Sequence, residues 1–249
     1  MNNIKKYHTK YSYDNNQYDF YNILLQHYQN TFPKLKSFEK THLLLDTLTK
    51  KDKQFYSKPY QYFGNNDRKS VFVNTFYKLF DTDYTFLKTY IDFVTDNIKP
   101  FFNERKILIQ KTPNIRFHLP GYSNIGRIDG DPHEWVYGLH YDNQFNHPQE
   151  EWNFVLPITK MYGTNSIFYE NEPHSNQSVE TYNSFELNQN EFYKTKLNMC
   201  KHYNKINDTS ETRVSFDFRA IAVSEFENNK LSSATSNIKF LPGKYYMYI

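Results

Sequence analysis

Apolar residues along the chain follow two different periods, and the change comes near residue 110. In the first part they recur every three or four positions, the spacing that gives a helix one buried face. The first stripe of this kind is Phe20, Ile23, Leu24 and His27, and a shorter one is Leu44, Leu45 and Leu48. The most regular stripe, which Asp83 can cap and Pro100 can end, is Leu87, Tyr90, Ile91, Val94 and Ile98. Residues 1–110 are therefore predicted to be mostly helical.

Beyond residue 110 apolar positions alternate with polar ones, which is the period of a strand with one buried face. This alternation occurs in residues 115–119, 152–156, 166–170 and 213–220, and a further candidate strand is 195–200. In the longest of these segments the polar positions are Arg213, Ser215, Asp217 and Arg219. Short strands separated by polar turns favour a β-sandwich or jelly roll, with the helices packed on its outside.

Composition narrows the class of protein. The 249 residues are enough for one large β domain or two small domains, and the 23 Tyr and 22 Phe residues mean that aromatic rings must fill much of the core. The net charge of +3 is smaller than nucleic-acid binders usually carry, so no nucleic-acid partner is expected.

Cysteine content and the N-terminus bear on location. The single cysteine, Cys200, excludes an internal disulfide and a zinc site of several cysteines, and it fits a reducing compartment. The first ten residues contain no apolar run, and no segment approaches the ~18 apolar residues of a membrane span. A cytoplasmic protein without membrane contact is therefore expected.

The motif His140-Tyr141-Asp142 and the later His202 carry the most specific chemistry. Side chains two residues apart on an extended strand point to the same side. With a second histidine from a distant strand, they would form the two-histidine, one-carboxylate facial triad of non-heme Fe(II) oxygenases. About one histidine with an acidic residue two positions later is expected by chance among 9 His and 27 acids, so the pair alone is weak evidence.

Arg213 and Ser215 follow His202 and share one side of the predicted strand. A guanidinium matches a carboxylate through two hydrogen bonds, and a hydroxyl adds another donor. The pair therefore suits the far carboxylate of 2-oxoglutarate. A surface arginine on an amphipathic strand is the alternative interpretation.

Other histidines, among them His118 and His147, are competing ligands, and a metal-dependent hydrolase or isomerase on a cupin-like barrel stays open. The chain nevertheless contains no HExxH, no cysteine cluster and no GxSxG motif, and its 7 glycines form no phosphate-binding loop.

Several stretches together resemble Fe(II)/2-oxoglutarate oxygenases related to those of streptomycin-type biosynthesis, which are distant relatives of phytanoyl-CoA dioxygenase. The resemblance covers residues 112–222. It rests on RFHLPG (116–121), on the segment from His140 to Thr159, on GTNSIFYENEP (163–173), and on HYNKINDTSETRVSFDFR (202–219). One departure is Tyr203, which stands where the family usually has glycine and could narrow the pocket or shift the turn.

The predicted organisation is one domain over residues 1–249, with a mostly helical part in 1–110 that buttresses a jelly-roll core in 111–249. The resemblance implies that this core is a double-stranded β-helix of the cupin-like kind. It also implies that His140, Asp142 and His202 hold iron, that Arg213 and Ser215 bind 2-oxoglutarate, and that Asn153 is a less certain contact of this co-substrate. The retained Asp142 argues against the halogenase variant. Candidate substrate-binding residues are Arg116, His118, Tyr137, Gln144 and His147.

The predicted function is an Fe(II)- and 2-oxoglutarate-dependent dioxygenase that uses O2 to hydroxylate a small polar metabolite and releases succinate and CO2. Desaturation or ring closure would use the same triad. A sugar-binding jelly roll without catalysis and an oxygenase that acts on a peptide are the alternatives from other classes.

Overall fold

The computed structural model describes residues 7–49, 70–121, 138–226, 231–233 and 237–249. Within these ranges the α-helices are α1 (Phe20–Thr31), α2 (Val71–Thr82) and α3 (Tyr84–Phe93). A longer 3-10 helix covers Phe38–Thr47, and short 3-10 turns lie at Asp142–Phe145, Gly163–Asn165, Val179–Thr181 and Val223–Glu225. None of the helices in the described ranges is both long and apolar enough to span a lipid bilayer.

Helix boundaries follow the predicted signals in part. Asp83 caps α3, because its carboxylate accepts hydrogen bonds from the backbone N–H groups of Thr85 and Phe86. The chain then continues through a π turn (Val94–Ile98) and a 3-10 turn (Lys99–Phe101) that contains Pro100.

The second apolar stripe and α2 differ from the prediction. The segment around Leu44 is a 3-10 helix, and its buried residues Phe38, Thr41 and Leu44 recur every third position, which is the 3-10 period. Helix α2 was not predicted from the sequence. It begins after Ser70, whose hydroxyl accepts a hydrogen bond from the N–H of Val73.

The strands, in chain order, are β1 (His8–Ser12), β2 (Ile107–Gln110), β3 (Asn114–His118), β4 (Trp152–Pro157), β5 (Ile167–Tyr169), β6 (Asn183–Ser184), β7 (Glu191–Thr195), β8 (His202–Asn204), β9 (Arg213–Ala222) and β10 (Tyr246–Tyr248). The candidate strand at 195–200 was misplaced, since β7 ends at Thr195 and a turn follows. The strands β1 and β2 lie within residues 1–110, so that part supplies strands as well as helices.

Among the described residues the strands form two antiparallel sheets. The larger has the order β1-β7-β4-β9-β2-β10, with β3 paired to the first half of β9, and the smaller has the order β6-β5-β8. The sheets meet where Arg213 of β9 donates from Nη2 to Oδ1 of Asn204 on β8, at 2.8 Å. The prediction of a mainly β fold with flanking helices is confirmed, while the jelly roll stays a prediction.

The strand β9 has one apolar face and one polar face. Its apolar residues Val214, Phe216, Phe218 and Ala220 belong to the main core together with residues of α1, α2 and α3. The Phe216 ring lies 5.9 Å from Phe20, 5.3 Å from Phe76 and 5.8 Å from Phe86, measured between centroids. The opposite face of β9 carries the polar row of Arg213, Ser215, Asp217 and Arg219.

Replacing Phe216 by alanine should lower the free energy of unfolding by about 3–5 kcal/mol, because the cavity would open between β9 and three helices. Urea denaturation at neutral pH measures this. Tyr84→Ala is the matched control, since Tyr84 is 76% exposed and its removal should change stability by less than ~0.5 kcal/mol. A loss at Phe216 no greater than that of the control would contradict the core described here.

Candidate metal centre

Two histidines distant in sequence are joined through their backbones. The N–H of His140 donates to the carbonyl of His202 at 3.1 Å, and the N–H of His202 donates back to the carbonyl of His140 at 2.8 Å. The intervening Tyr141 is extended, with φ −123° and ψ 147°, so the side chain of Asp142 returns to the side of His140. Asp142 itself begins the 3-10 turn Asp142–Phe145 instead of continuing a strand. The predicted spacing therefore brings all three side chains together, at the end of a bridge and not along a regular strand.

The three side chains converge on one point. Oδ1 of Asp142 lies 3.7 Å from Nε2 of His140 and 3.7 Å from Nε2 of His202. Ligand atoms of all three lie within 4.8 Å of one another, and no other group of His, Cys, Asp or Glu in the described ranges could hold a metal in this way. A cation placed ~2.0–2.2 Å from each nitrogen and oxygen atom can therefore touch all three.

Backbone carbonyls fix which nitrogen of each imidazole is available. Nδ1 of His202 lies 3.1 Å from the carbonyl oxygen of Cys200, and Nδ1 of His140 contacts the carbonyl of Gly138. A carbonyl only accepts, so each Nδ1 carries the proton and each Nε2 keeps its lone pair for a metal. This is the usual outer support of a metal-binding histidine.

Burial keeps both imidazoles neutral. Burial, followed by the neighbouring His140, lowers the pKa of His202 to about 3, although Asp142 opposes the shift. Burial also lowers the pKa of His140, again against the opposing charge of Asp142. Neutral imidazole is the metal-binding form, so protons do not compete for these sites near neutral pH.

The carboxylate of Asp142 is buried and hydrogen-bonded on the side away from the imidazoles. Burial alone would raise the pKa of Asp142, but the Arg219 guanidinium, followed by the nearby imidazoles, holds that pKa well below its usual range. Its Oδ2 accepts from Nη2 of Arg219 at 2.6 Å and from Nδ2 of Asn153 at 2.7 Å. Its Oδ1 faces the two imidazoles.

The donor set fits ferrous iron. Two imidazole nitrogens and one carboxylate oxygen on one side of a cation, with the other side open, are the ligands of non-heme Fe(II) oxygenases. Cys200 does not join them, because burial raises the pKa of its thiol above the usual value and keeps it protonated. It is a small buried residue, as the sequence predicts.

Arg213 is fully buried. It donates from Nη1 to Oγ of Ser215 at 2.7 Å and from Nε to the carbonyl of Asn165 at 2.9 Å, besides its bond to Asn204. Asn204 and His202 are two residues apart on β8, which corresponds to ~6.6 Å along a strand. The predicted pair of Arg213 and Ser215 is therefore assembled close to the metal centre.

Three other candidates have partners within the protein. Asn153 orients Asp142 and accepts from the N–H of Asn198 at 3.0 Å, so its contact with a co-substrate stays a prediction. Arg116 donates from Nε to Oδ1 of Asp217 at 2.9 Å, and its side chain is 31% exposed. Nδ1 of His118 lies 3.2 Å from the carbonyl of Asn165, beside Arg213.

The remaining candidates contact other residues of the protein or lie outside the described residues. Gln144 is exposed and accepts from the N–H of Tyr141, which closes the 3-10 turn. Nδ1 of His147 contacts Oε2 of the buried Glu151 at 2.9 Å. Tyr137 lies outside the described residues.

Tyr203 does not narrow the site, contrary to one expectation. It is buried beside Phe168 and Tyr182, with ring centroids 5.4 and 6.0 Å away. Strand alternation directs it to the face of β8 opposite His202.

Arg219 and Asp217 support the centre, and no role was predicted for them from the sequence. Nη1 of Arg219 donates to Oδ2 of Asp217 at 2.7 Å. The available signal was their position on the same side of β9 as Arg213 and Ser215.

Replacing His202 by alanine should weaken Ni(II) or Co(II) binding by more than the ~10–100-fold that loss of an outer support causes, because a direct ligand is removed. Isothermal titration calorimetry of the metal-free protein measures this. His27→Ala is the control, since His27 lies on α1 in the helical layer. Equal affinities of the two variants would remove His202 from the centre.

Comparison with known proteins gives one sequence relative and several weak structural likenesses. No family model matches the chain. It is 29% identical over 140 residues to the streptomycin biosynthesis protein StrG of Streptomyces griseus, and the match covers 56% of this chain and 59% of StrG. The match thus spans less than two thirds of that relative. The resemblance to streptomycin-type biosynthesis proteins predicted from the motifs is confirmed by this relative.

Among solved structures, the non-heme monooxygenase ThoJ in its apo form aligns with a TM-score of 0.42 and 11% identity over 69% of this chain and 76% of its own. The α-ketoglutarate-dependent carbocyclase SnoK from nogalamycin biosynthesis gives 0.36 and 10%, over 57% and 62%. HygX from Streptomyces hygroscopicus with nickel and 2-oxoglutarate bound gives 0.31 and 10%, over 71% and 88%. TM-scores this low do not establish a shared fold, so the geometry of the centre is the stronger finding.

Proposed function

We propose that this chain is an Fe(II)- and 2-oxoglutarate-dependent dioxygenase that hydroxylates a small polar metabolite and releases succinate and CO2. The observation that carries the proposal is the meeting of Nε2 of His140, Nε2 of His202 and Oδ1 of Asp142 at one point. The two antiparallel sheets around this point are inferred to be the halves of a double-stranded β-helix.

The protein's part in the reaction is to hold the metal, orient the co-substrate and exclude competing water. His140, His202 and Asp142 would occupy one face of the ion, which leaves three positions for the co-substrate and O2. Ferrous iron supplies, when bound, the oxygen-activating chemistry that no side chain provides. The side chains of the three ligands are at most 12% exposed, which limits access of bulk water from the protein side.

Arg213 and Ser215 are proposed to bind the far carboxylate of 2-oxoglutarate. The guanidinium is buried and held by Asn165 and Asn204, so its orientation is set before the co-substrate arrives. The Ser215 hydroxyl already contacts Nη1 of Arg213, which places two kinds of donor side by side. A dicarboxylate that reaches from the metal to this pair would place one negative end at the metal and the other at the Arg213 guanidinium, and it would stay inside the protein.

The metabolite is proposed to enter beside Arg116, whose partial exposure distinguishes it from the buried Arg213 and Arg219. His118 lies on the same face of β3 two residues on, and Tyr137, Gln144 and His147 stay candidates for the rim. The name of StrG assigns that relative to the biosynthesis of a small molecule, which supports a metabolite as substrate.

The first test uses no substrate. Purified protein loaded with Fe(II) in the absence of oxygen should bind 2-oxoglutarate. On exposure to air it should release succinate slowly, because such enzymes convert some 2-oxoglutarate to succinate even when no substrate is oxidised. His140→Ala should abolish both while circular dichroism stays unchanged. A wild-type protein that binds Fe(II) but neither binds 2-oxoglutarate nor forms succinate would end the proposal and favour a binding module. A screen of amino acids, sugars, nucleosides and peptides for faster succinate release would then identify the substrate class.

Weakening the proposed anchor should affect the co-substrate and not the metal. Arg213→Lys and Ser215→Ala should each raise the dissociation constant for 2-oxoglutarate, the former by about 10- to 100-fold, because a charge-assisted hydrogen bond contributes ~1.5–3 kcal/mol. Co(II) affinity should stay within about twofold of the wild type in both. The control is Arg105→Lys at an exposed arginine. Unchanged 2-oxoglutarate affinity in both variants would exclude this anchor.

A further inference from the structure

Arg219 contacts the metal-binding carboxylate but does not face the metal. We propose that Arg219 is a positioning residue that restricts Asp142 to a single metal-binding oxygen and fixes where that oxygen points. This inference rests on the metal centre of the proposed function and concerns a residue outside the triad and the co-substrate anchor.

The two carboxylate oxygens of Asp142 have different neighbours. A carboxylate can bind a cation through one oxygen or through both. Here Oδ2 already accepts from Nη2 of Arg219 at 2.6 Å and from Nδ2 of Asn153 at 2.7 Å. Only Oδ1 is directed toward the imidazoles. Asp142 therefore contributes one ligand atom, and the coordination positions that a second would occupy stay open.

The side chain of Arg219 is itself held by two carboxylates. Its guanidinium also donates from Nη1 to Oδ2 of Asp217 at 2.7 Å, so two carboxylates fix its plane. Asp217 is held in turn by Nε of Arg116 at 2.9 Å and Nδ2 of Asn114 at 2.8 Å. A lysine has one ammonium group and cannot reproduce this planar bridge.

The guanidinium of Arg219 and a bound metal ion would carry charge of the same sign. A guanidinium beside a divalent cation would be repelled, but here the carboxylate of Asp142 lies between the two. Arg219 is 6% exposed and donates to the carboxylates of both Asp142 and Asp217. This bridge is formed by groups of the protein alone, so it can hold Asp142 in place before the metal binds.

The first experiment measures metal binding by the full chain without 2-oxoglutarate. Arg219→Met and Arg219→Lys should weaken Co(II) binding by about 10–100-fold, the usual effect of losing an outer support. The visible absorption of bound Co(II) should also change, because a released Oδ2 raises the coordination number. Arg105→Met at an exposed arginine should change neither. Wild-type affinity and absorption in both Arg219 variants would overturn the inference.

The second experiment separates positioning from folding. Asp142→Ala should lose Co(II) binding, and added formate should restore it, because Arg219 and Asn153 would hold the small anion where the carboxylate was. Formate should not restore Co(II) binding in the double variant of Asp142→Ala with Arg219→Met. If that double variant does not fold, Asp142→Ala with Arg219→Lys replaces it, and formate should not restore binding there either. Equal restoration in the single and double variants would overturn the role of Arg219. A wild-type protein that binds no metal would overturn the centre itself and, with it, this inference, whereas metal binding without succinate formation would contradict only the proposed reaction.

Discussion

The ion pair between Asp142 and Arg219 is the interaction on which the rest of the centre depends. An ionised carboxylate that is buried without a partner costs so much free energy that it takes up a proton instead. Here the guanidinium and the Asn153 amide offset that cost, so the carboxylate stays charged inside the protein. Because Arg219 and Asn153 both donate to Oδ2, the Oδ1 atom of Asp142 is left for a cation. The two neutral imidazoles would complete the ligands of that cation.

The strand β9 connects this polar site to the core. Its even-numbered residues, among them Phe216 and Phe218, pack on the helices, whereas its odd-numbered residues form the row that ends at Arg219. A shift of one residue in the pairing of β9 would exchange the two faces. The aromatic core and the metal centre therefore specify the same register, and neither can form with the other misplaced.

The residues of the centre were largely predictable, for physical reasons that differ from residue to residue. The alternation in 213–220 identified the strand and placed Arg213 and Ser215 together, and His140 and Asp142 follow the two-residue period because Tyr141 is extended. Arg219 was visible in the same row, but its partner comes from a distant segment, so no local pattern could assign it. Asn153 was predicted for the co-substrate, yet its neighbours are Asp142 and Asn198, which only the folded chain brings near.

The helical part was less predictable. Leu44 lies in a 3-10 helix because its buried neighbours recur every three residues, a spacing that also occurs in an α-helical stripe. Strand β1 was not predicted because its partner β7 lies more than 170 residues later in the chain. Pairing over that distance produces no pattern within a short stretch of sequence.

The backbone bridge between His140 and His202 has a consequence for how the protein responds to its metal. The two ligands come from segments that are far apart in the unfolded chain, so the complete donor set exists only after these segments have paired. A cation that binds the native chain and not the unfolded one stabilises it in proportion to the logarithm of its concentration. A metal bound at this centre would in this way also protect the chain against proteolysis.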